Sequence, residues 1–75
     1  MIDFSQLSDK KLDNLSNFFF TEGYQGVAIN LFYRYEPLQI DLSSFSYEEL
    51  ERLKIFLYKL DELELASQVK CKKQI

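Results

Sequence analysis

Carboxylates are the side chains with the clearest chemical potential in this sequence, and they cluster in its second half. Six of them fall between positions 48 and 64: Glu48, Glu49, Glu51, Asp61, Glu62 and Glu64. A catalytic carboxylate pair has to lie inside a cleft, whereas carboxylates on an amphipathic helix point to solvent. We therefore interpret the cluster either as a solvated helix face or as an acidic surface that docks a basic surface of another protein. The candidate binding residues of that surface are Glu48, Glu51, Asp61 and Glu62.

Other catalytic and metal-binding side chains are scarce. The sequence has no histidine, so it lacks the commonest general base and cannot form a Cys–His pair or a Ser–His–Asp triad. Its single cysteine, Cys71, cannot hold zinc alone, and Gly23 and Gly26 are too few for a phosphate-binding loop. We expect no enzymatic activity, no metal site and no cofactor.

The composition indicates one small domain with an acidic body and a basic tail. The chain has 75 residues, of which 47% are hydrophobic and 16% aromatic, enough for a dense core at this size. Residues 1–69 carry a net charge of −6, and the three lysines of residues 70–75 give the tail +3. We predict one compact domain over residues 1–69 and a frayed tail over residues 70–75. An acidic body repels phosphate backbones, so we expect no nucleic-acid partner.

Signals for export or membrane insertion do not occur in the sequence. A lone cysteine cannot form an intramolecular disulfide, and the N-terminus lacks the basic and apolar segments of a signal peptide. The apolar runs are far shorter than the ~20 residues of a membrane span. We expect a cytoplasmic protein with no membrane partner.

A helix is predicted from residue 46 to about residue 66. Ser46 and Glu49 have the spacing of a capping box, and Phe45 and Leu50 occupy the hydrophobic-staple positions. Apolar residues then recur on one helical face, as expected for an amphipathic helix.

The start of this helix has a counterpart 38 residues earlier in the chain. The identical pairs are Asp3/Asp41, Ser5/Ser43, Ser8/Ser46, Leu12/Leu50, Leu15/Leu53 and Phe18/Phe56. The pattern predicts a helix over residues 8–22, with Ser8 as its N-cap and Gly23 as its C-cap. An internal duplication and two uses of a common helix start both explain the match.

Alternating apolar residues predict a β-hairpin in the middle of the chain. Every second residue is apolar over residues 27–35 and again over residues 38–42. Folding the two runs together places six apolar side chains on one face, in the pairs Tyr35/Leu38, Tyr33/Ile40 and Leu31/Leu42. Glu36–Pro37 is poor chemistry for a two-residue turn, so a longer connection is expected.

A helix is the alternative for residues 27–35, because apolar residues there also share one helical stripe. Six residues resemble the helix pair of a tetratricopeptide repeat: Leu12, Leu15, Phe19, Gly23, Ala28 and Phe32. The resemblance covers residues 12–35 and departs from the repeat at Ser16, Tyr35 and Ile40. It implies a helix on each side of Gly23, in a family whose repeats form peptide-binding superhelices.

Aromatic residues supply a second candidate surface. Phe18, Phe19 and Phe20 are successive helical positions, each about 100° from the next, so they cannot all face one core. Phe20 either lies beneath another element or points outward to anchor a partner. Tyr33 and Tyr35 join Phe20 as candidate partner-binding residues, because tyrosine suits half-buried contact sites.

These patterns predict an α+β helix–hairpin–helix domain, with an all-α three-helix domain as the alternative. For function they predict a non-catalytic protein-binding module, a small acidic adaptor or inhibitor that occupies a partner's surface. The alternative function is a self-assembling structural subunit. We also expect a two-fold homodimer formed by pairing of the uncharged strand edge at residues 27–31, because a two-stranded sheet leaves its edges unpaired.

Overall fold

Short strands and four helices follow one another along the part of the chain that the structure describes. The computed structural model describes residues 1–69. Its elements are β1 (Ile2–Asp3), α1 (Asp9–Thr21), α2 (Gln25–Phe32), β2 (Gln39–Ile40), α3 (Tyr47–Lys59) and α4 (Leu63–Gln68). The strands form a two-stranded antiparallel sheet, beside which the Phe4 amide donates to the Leu38 carbonyl at 2.9 Å. The fold is therefore mainly helical with a small sheet, which is α+β in the broad sense.

The chain divides into two compact units. The first comprises Met1 and Asp3–Ile40, and the second, within the described residues, comprises Ile2 and residues 41–69. Helices α1 and α2 pack against each other in the first unit, and α3 and α4 do so in the second. A single domain over residues 1–69 stays a prediction, and the predicted tail at residues 70–75 lies outside the described residues.

The core of the first unit forms where α1 packs on α2 and on the chain around the strands. Its buried apolar residues are Phe4, Leu7, Leu12, Leu15, Phe19, Ala28, Leu31, Leu38 and Ile40. Phe4 and Phe19 meet edge to face with ring centroids 6.3 Å apart, a geometry that aromatic pairs favour. The buried Ser16 hydroxyl donates to the Ala28 carbonyl at 2.7 Å, so this polar group is satisfied inside an apolar contact.

The core of the second unit is built from the apolar faces of α3 and α4. Its buried residues are Ile2, Phe45, Leu50, Leu53, Leu57, Leu65, Ala66 and Val69. The predicted capping box is confirmed: the Ser46 hydroxyl accepts from the Glu49 amide at 3.2 Å, and the Glu49 carboxylate accepts from the Ser46 amide at 2.9 Å. These bonds satisfy two amides that a helix start otherwise leaves without partners.

The predicted helix over residues 8–22 is confirmed as α1, with Ser8 as the N-cap. The Ser8 hydroxyl accepts from the Lys11 amide at 3.4 Å. At the other end, Gly23 adopts a positive φ of 93°, a conformation that glycine reaches without steric cost. The Tyr24 amide donates to the Phe19 carbonyl and the Gly23 amide to the Phe20 carbonyl, which is the Schellman pattern of helix termination.

The prediction of one helix from 46 to 66 is wrong, because the chain reverses at Asp61. This residue adopts a φ of 61°. The Glu62 amide donates to the Leu57 carbonyl and the Asp61 amide to the Tyr58 carbonyl, so α3 ends in a second Schellman motif. No glycine marks this stop, and aspartate is one of the few other residues that visit the left-handed region.

The predicted hairpin is also wrong, because α2 occupies most of residues 27–35. The hairpin register would place Ile29 and Leu31 on one face, but Leu31 is fully buried and Ile29 is 49% exposed. Ala28 and Leu31 instead share the buried side of the helix. The alternative of a helix on each side of Gly23 is confirmed, but the all-α three-helix domain is wrong, because residues 1–69 form four helices and a two-stranded sheet.

The second alternating run is a strand with a different partner from the one predicted. Leu38 and Ile40 are buried and Gln39 is exposed, as the alternation over residues 38–42 requires. That strand, β2, pairs with β1. Because residues 27–31 are helical, the dimer interface predicted at that edge is wrong, and homodimer formation itself stays a prediction.

Both units repeat one local structure at an offset of 38 residues. Adding 38 to the first and last residue numbers of α1 gives those of α3. Helices α2 and α4 also begin 38 residues apart. The matched features are the turn acceptors Asp3 and Asp41, the N-caps Ser8 and Ser46, the left-handed residues Gly23 and Asp61, and the buried alanines Ala28 and Ala66. An internal duplication explains the whole match, whereas a common helix start explains only the caps.

Gly23 and Gly26 provide a matched test of the helix reversal. An added Cβ meets no atom within 4 Å at either position, so backbone conformation alone decides the outcome. We expect Gly23→Ala to lower the free energy of unfolding by about 1–2 kcal/mol, because it forces a side chain into the left-handed region. Gly26→Ala in α2 should raise it by about 0.5–1 kcal/mol. Urea unfolding followed by circular dichroism measures both, and changes of the same sign would contradict the assigned reversal.

The hydrogen-bonded turns of Asp3 and Asp41 lead us to expect that both aspartates stabilise the fold and that both lose this contribution at low pH. Hydrogen bonds from the backbone and then the side chain of Ser5 lower the pKa of Asp3 below its ordinary value of 3.8, and Ser43 does the same for the pKa of Asp41. A carboxylate whose pKa is lowered on folding stabilises the fold above its unfolded pKa, and that contribution is lost as pH falls through the folded pKa. Carboxyl carbon titration by NMR should place both pKa values below 3.8 in the folded protein. A value of 3.8 or higher at either aspartate would contradict its turn.

Candidate functional site

Five large apolar side chains are exposed on one face of the first unit. This aromatic face consists of Phe20 from α1, Ile29 and Phe32 from α2, and Tyr33 and Tyr35 from the chain that follows α2. Each is between 49% and 60% exposed. Single exposed apolar residues are ordinary, but contiguous groups mark interaction sites.

An open cavity of about 320 Å³ lies on the aromatic face. Its lining residues are Ser16, Asn17, Phe20, Ala28, Ile29, Phe32 and Tyr33. Ser16 and Ala28 are buried and small, so the cavity exists because α1 and α2 meet there through their shortest side chains. An apolar cavity with few polar groups suits an apolar side chain of a ligand.

The rings along the end of α2 pack against one another. Phe32 and Tyr33 meet edge to face, with centroids 5.0 Å apart and planes at 88°. Tyr33 and Tyr35 are stacked at 5.7 Å and 23°. Rings that are already held by their neighbours lose little side-chain freedom when a partner covers them.

Arg34 fixes the chain that carries these rings. It adopts a φ of 58° at the end of α2, where the Tyr35 amide donates to the Asn30 carbonyl in a third Schellman motif. Its guanidinium reaches Asp9 at 3.3 Å and Asp13 at 3.1 Å, both on α1. Partial desolvation acts to lower the pKa of Arg34, but the hydrogen bonds and charges of the two aspartates outweigh it and raise that pKa. The ion pairs therefore tie the end of α2 to α1.

The structure brings together the three aromatic residues predicted from the sequence. Phe20 and Tyr33 line the same cavity, and Tyr35 stacks on Tyr33. Phe19 is fully buried and Phe20 is 60% exposed, which agrees with the argument that successive helical positions cannot share one core.

The four predicted acidic residues lie in the second unit. Glu48 and Glu51 are exposed on α3, Asp61 is exposed at the helix reversal, and Glu62 is half-buried before α4. They are not part of the aromatic face, and their role in binding stays a prediction.

Sequence reasoning missed Ile29, Phe32, Ser16 and Asn17. The hairpin register placed Ile29 toward the core and gave Phe32 no role, which hid their shared exposure. The available signal was the small pair Ser16 and Ala28 on either side of Gly23, which is typical of two helices in close contact.

Three further observations concern metal binding, buried polar atoms and membrane insertion within residues 1–69. Within that range no group of three or more metal-ligating side chains lies close enough to hold an ion, and no buried side-chain polar atom lacks a partner. Each described helix falls short of the length and apolar character needed to cross a bilayer. Comparisons of the chain with protein families, curated proteins and solved structures gave no match.

Replacing Arg34 tests whether its ion pairs hold the aromatic face in place. We expect Arg34→Ala to lower the melting temperature and weaken the near-ultraviolet circular dichroism of the tyrosines, because the end of α2 loses its ties to Asp9 and Asp13. Arg34→Lys keeps the positive charge but not the forked donor geometry. Its melting temperature and tyrosine circular dichroism should therefore lie between those of wild type and Arg34→Ala. Added salt should reduce the difference between wild type and Arg34→Ala. Identical spectra and melting temperatures for all three proteins would contradict this role.

Proposed function

We propose that this protein is a non-catalytic protein-binding module, a small acidic adaptor or inhibitor that uses its aromatic face to occupy a surface of another protein. The observation that supports this function is the cavity of about 320 Å³ on a face of five exposed large apolar side chains. A cytoplasmic location goes with this proposal.

Energetics favour a partner for this face. Complete burial of a large apolar side chain contributes about 1.5–3 kcal/mol relative to exposure, and aromatic anchors near the centre of an interface dominate binding energy. Phe20 and Phe32 together with Ile29 border the cavity, so one apolar side chain entering it would contact all three.

Charge favours a partner with a basic surface. Residues 1–69 carry a net charge of −6, which steers association with basic proteins and disfavours acidic ones. The first unit also has a negative net charge, because residues 3–40 contain five acidic and three basic residues.

Self-assembly is the second candidate function, and the same exposed face supports it. In a two-fold dimer the aromatic face of one copy would cover that of another, because an isologous interface uses the same patch twice. A structural subunit of a homo-oligomer would then bury Phe20 and Tyr33 without any other ligand.

Phe20→Ser tests the proposed binding face, with Asn14→Ser on the same helix as the matched control. Both residues are exposed on α1, and only Phe20 lines the cavity. Loss of one aromatic anchor should weaken a partner's binding by about 30-fold or more, which corresponds to about 2 kcal/mol. The measurement is affinity purification from the source cells with quantitative mass spectrometry, using wild type and both variants.

The expected result is a partner recovered with wild type and with Asn14→Ser but depleted with Phe20→Ser, while circular dichroism shows all three folded. Recovery of the same proteins with all three would count against the aromatic face. Sedimentation velocity at high micromolar concentration separates the two functions: a monomer favours the binding module, and an oligomer that Phe20→Ser dissociates favours the structural subunit.

A further inference from the structure

Three aromatic rings line the cavity of the aromatic face. Phe20 comes from α1, Phe32 from the end of α2, and Tyr33 from the residue that follows. Each of these side chains is between 53% and 60% exposed, so a ligand can reach the rings. The face of an aromatic ring carries negative electrostatic potential, and it attracts a cation that lies within about 6 Å of the ring centroid. Walls of this kind suit a ligand group that combines apolar surface with a positive charge.

The protein does not supply that charge from the cavity itself. Within residues 1–69, none of the side chains that line the cavity is charged. The nearest cation in the sequence, Arg34, directly follows Tyr33, but its guanidinium donates to the carboxylates of Asp9 and Asp13 and to the Phe32 carbonyl. Arg34 is therefore committed to these acceptors, and a positive charge beside the rings has to come from a ligand.

The net charge of the first unit favours a cationic ligand. Residues 3–40 contain five acidic and three basic residues, for a net charge of −2. A net negative charge attracts cations over a distance of about 10 Å at moderate salt, whereas the rings act only at contact. Both effects therefore favour the same kind of ligand at successive stages of binding.

Arginine fits these walls better than lysine. Its guanidinium is planar, stacks on aromatic faces, and is more weakly hydrated than an ammonium group. Its alkyl stem packs along apolar surface while the charged end stays close to water, and Ile29 provides such surface in the same cavity. The cavity volume of about 320 Å³ lies near the lower end of the range for ligand pockets, about 300–1,000 Å³. A single long side chain suits a cavity of this size.

We propose that the cavity of the aromatic face binds an arginine side chain of the partner protein, with its guanidinium among the rings of Phe20, Phe32 and Tyr33 and its alkyl stem against Ile29. This inference rests on the proposed function of the aromatic face and deepens it, because it names the residue that the partner presents. It also gives the exposed rings and the negative charge of the unit one common purpose.

Two short peptides test the arginine site. One is acetyl-Gly-Arg-Gly-amide, and the other replaces its arginine with citrulline, which keeps the shape of the side chain but lacks the charge. Each peptide is titrated into the full chain at about 0.15 M salt, which screens long-range attraction. Methyl NMR of Ile29 reports on the cavity, and methyl NMR of Ile55 reports on the second unit.

We expect saturable shifts at Ile29 with the arginine peptide and at least threefold weaker binding of the citrulline peptide. Phe20→Leu keeps an apolar side chain but removes one ring, so it should reduce the preference for arginine over citrulline. Asn14→Ser changes an exposed residue of α1 that does not line the cavity, so it should retain that preference. Circular dichroism should show both variants folded, because Phe20 is 60% exposed.

Other results would overturn the arginine site without deciding the proposed function. Equal binding of the arginine and citrulline peptides would mean that apolar burial alone drives binding. Shifts at Ile55 without shifts at Ile29 would mean that acidic residues of the second unit bind the arginine. A lysine peptide that binds as tightly as the arginine peptide would exclude the selective role of the guanidinium, and absence of saturable binding would exclude the site. The proposed function is decided separately, by a partner that wild type recovers and Phe20→Ser loses.

Discussion

The reversal of the chain after α1 is the constraint on which the rest of the first unit depends. Only Glu22, Gly23 and Tyr24 separate α1 from α2, and the chain turns within this short connection through one residue in a left-handed conformation. Gly23 supplies it, and the Schellman hydrogen bonds satisfy the carbonyls that the helix end leaves open. Every contact between the two helices follows from this turn, including the hydrogen bond from Ser16 to Ala28.

The second unit meets the same constraint with different side chains. Asp61 takes the left-handed position of Gly23, at a conformational cost that glycine avoids. Lys54 stands where the first unit has Ser16, whereas the alanine of the following helix is the same in both. The repeat therefore preserves the caps, the reversal and the apolar core, while its surfaces have diverged. This is the pattern expected when packing restrains buried positions and leaves exposed ones to serve binding.

The aromatic face is a consequence of how the first unit packs. Small residues at the contact between α1 and α2 leave a cavity, and the reversal at Arg34 turns Tyr33 and Tyr35 toward the same side as Phe32. Exposed apolar surface of this kind promotes association, and the net charge of −6 on residues 1–69 opposes indiscriminate self-association. Both properties fit the proposed protein-binding module.

Local signals in the sequence determined the beginnings of the long helices, the pairing of equivalent positions at an offset of 38, and the fact that three successive phenylalanines cannot all face one core. Capping chemistry and helical periodicity act over a few residues, so Ser8, Ser46 and Gly23 could be read directly. The alternation of apolar residues could not decide whether residues 27–35 form a strand or a helix, because Val27 and Leu31 fit both a strand face and a helical stripe. Tertiary packing decided it: a helix there buries Ala28 and Leu31 against α1 and satisfies its own backbone. The reversal at Asp61 and the assembly of the aromatic face likewise depended on tertiary structure, since both require contacts between helices that no local pattern specifies.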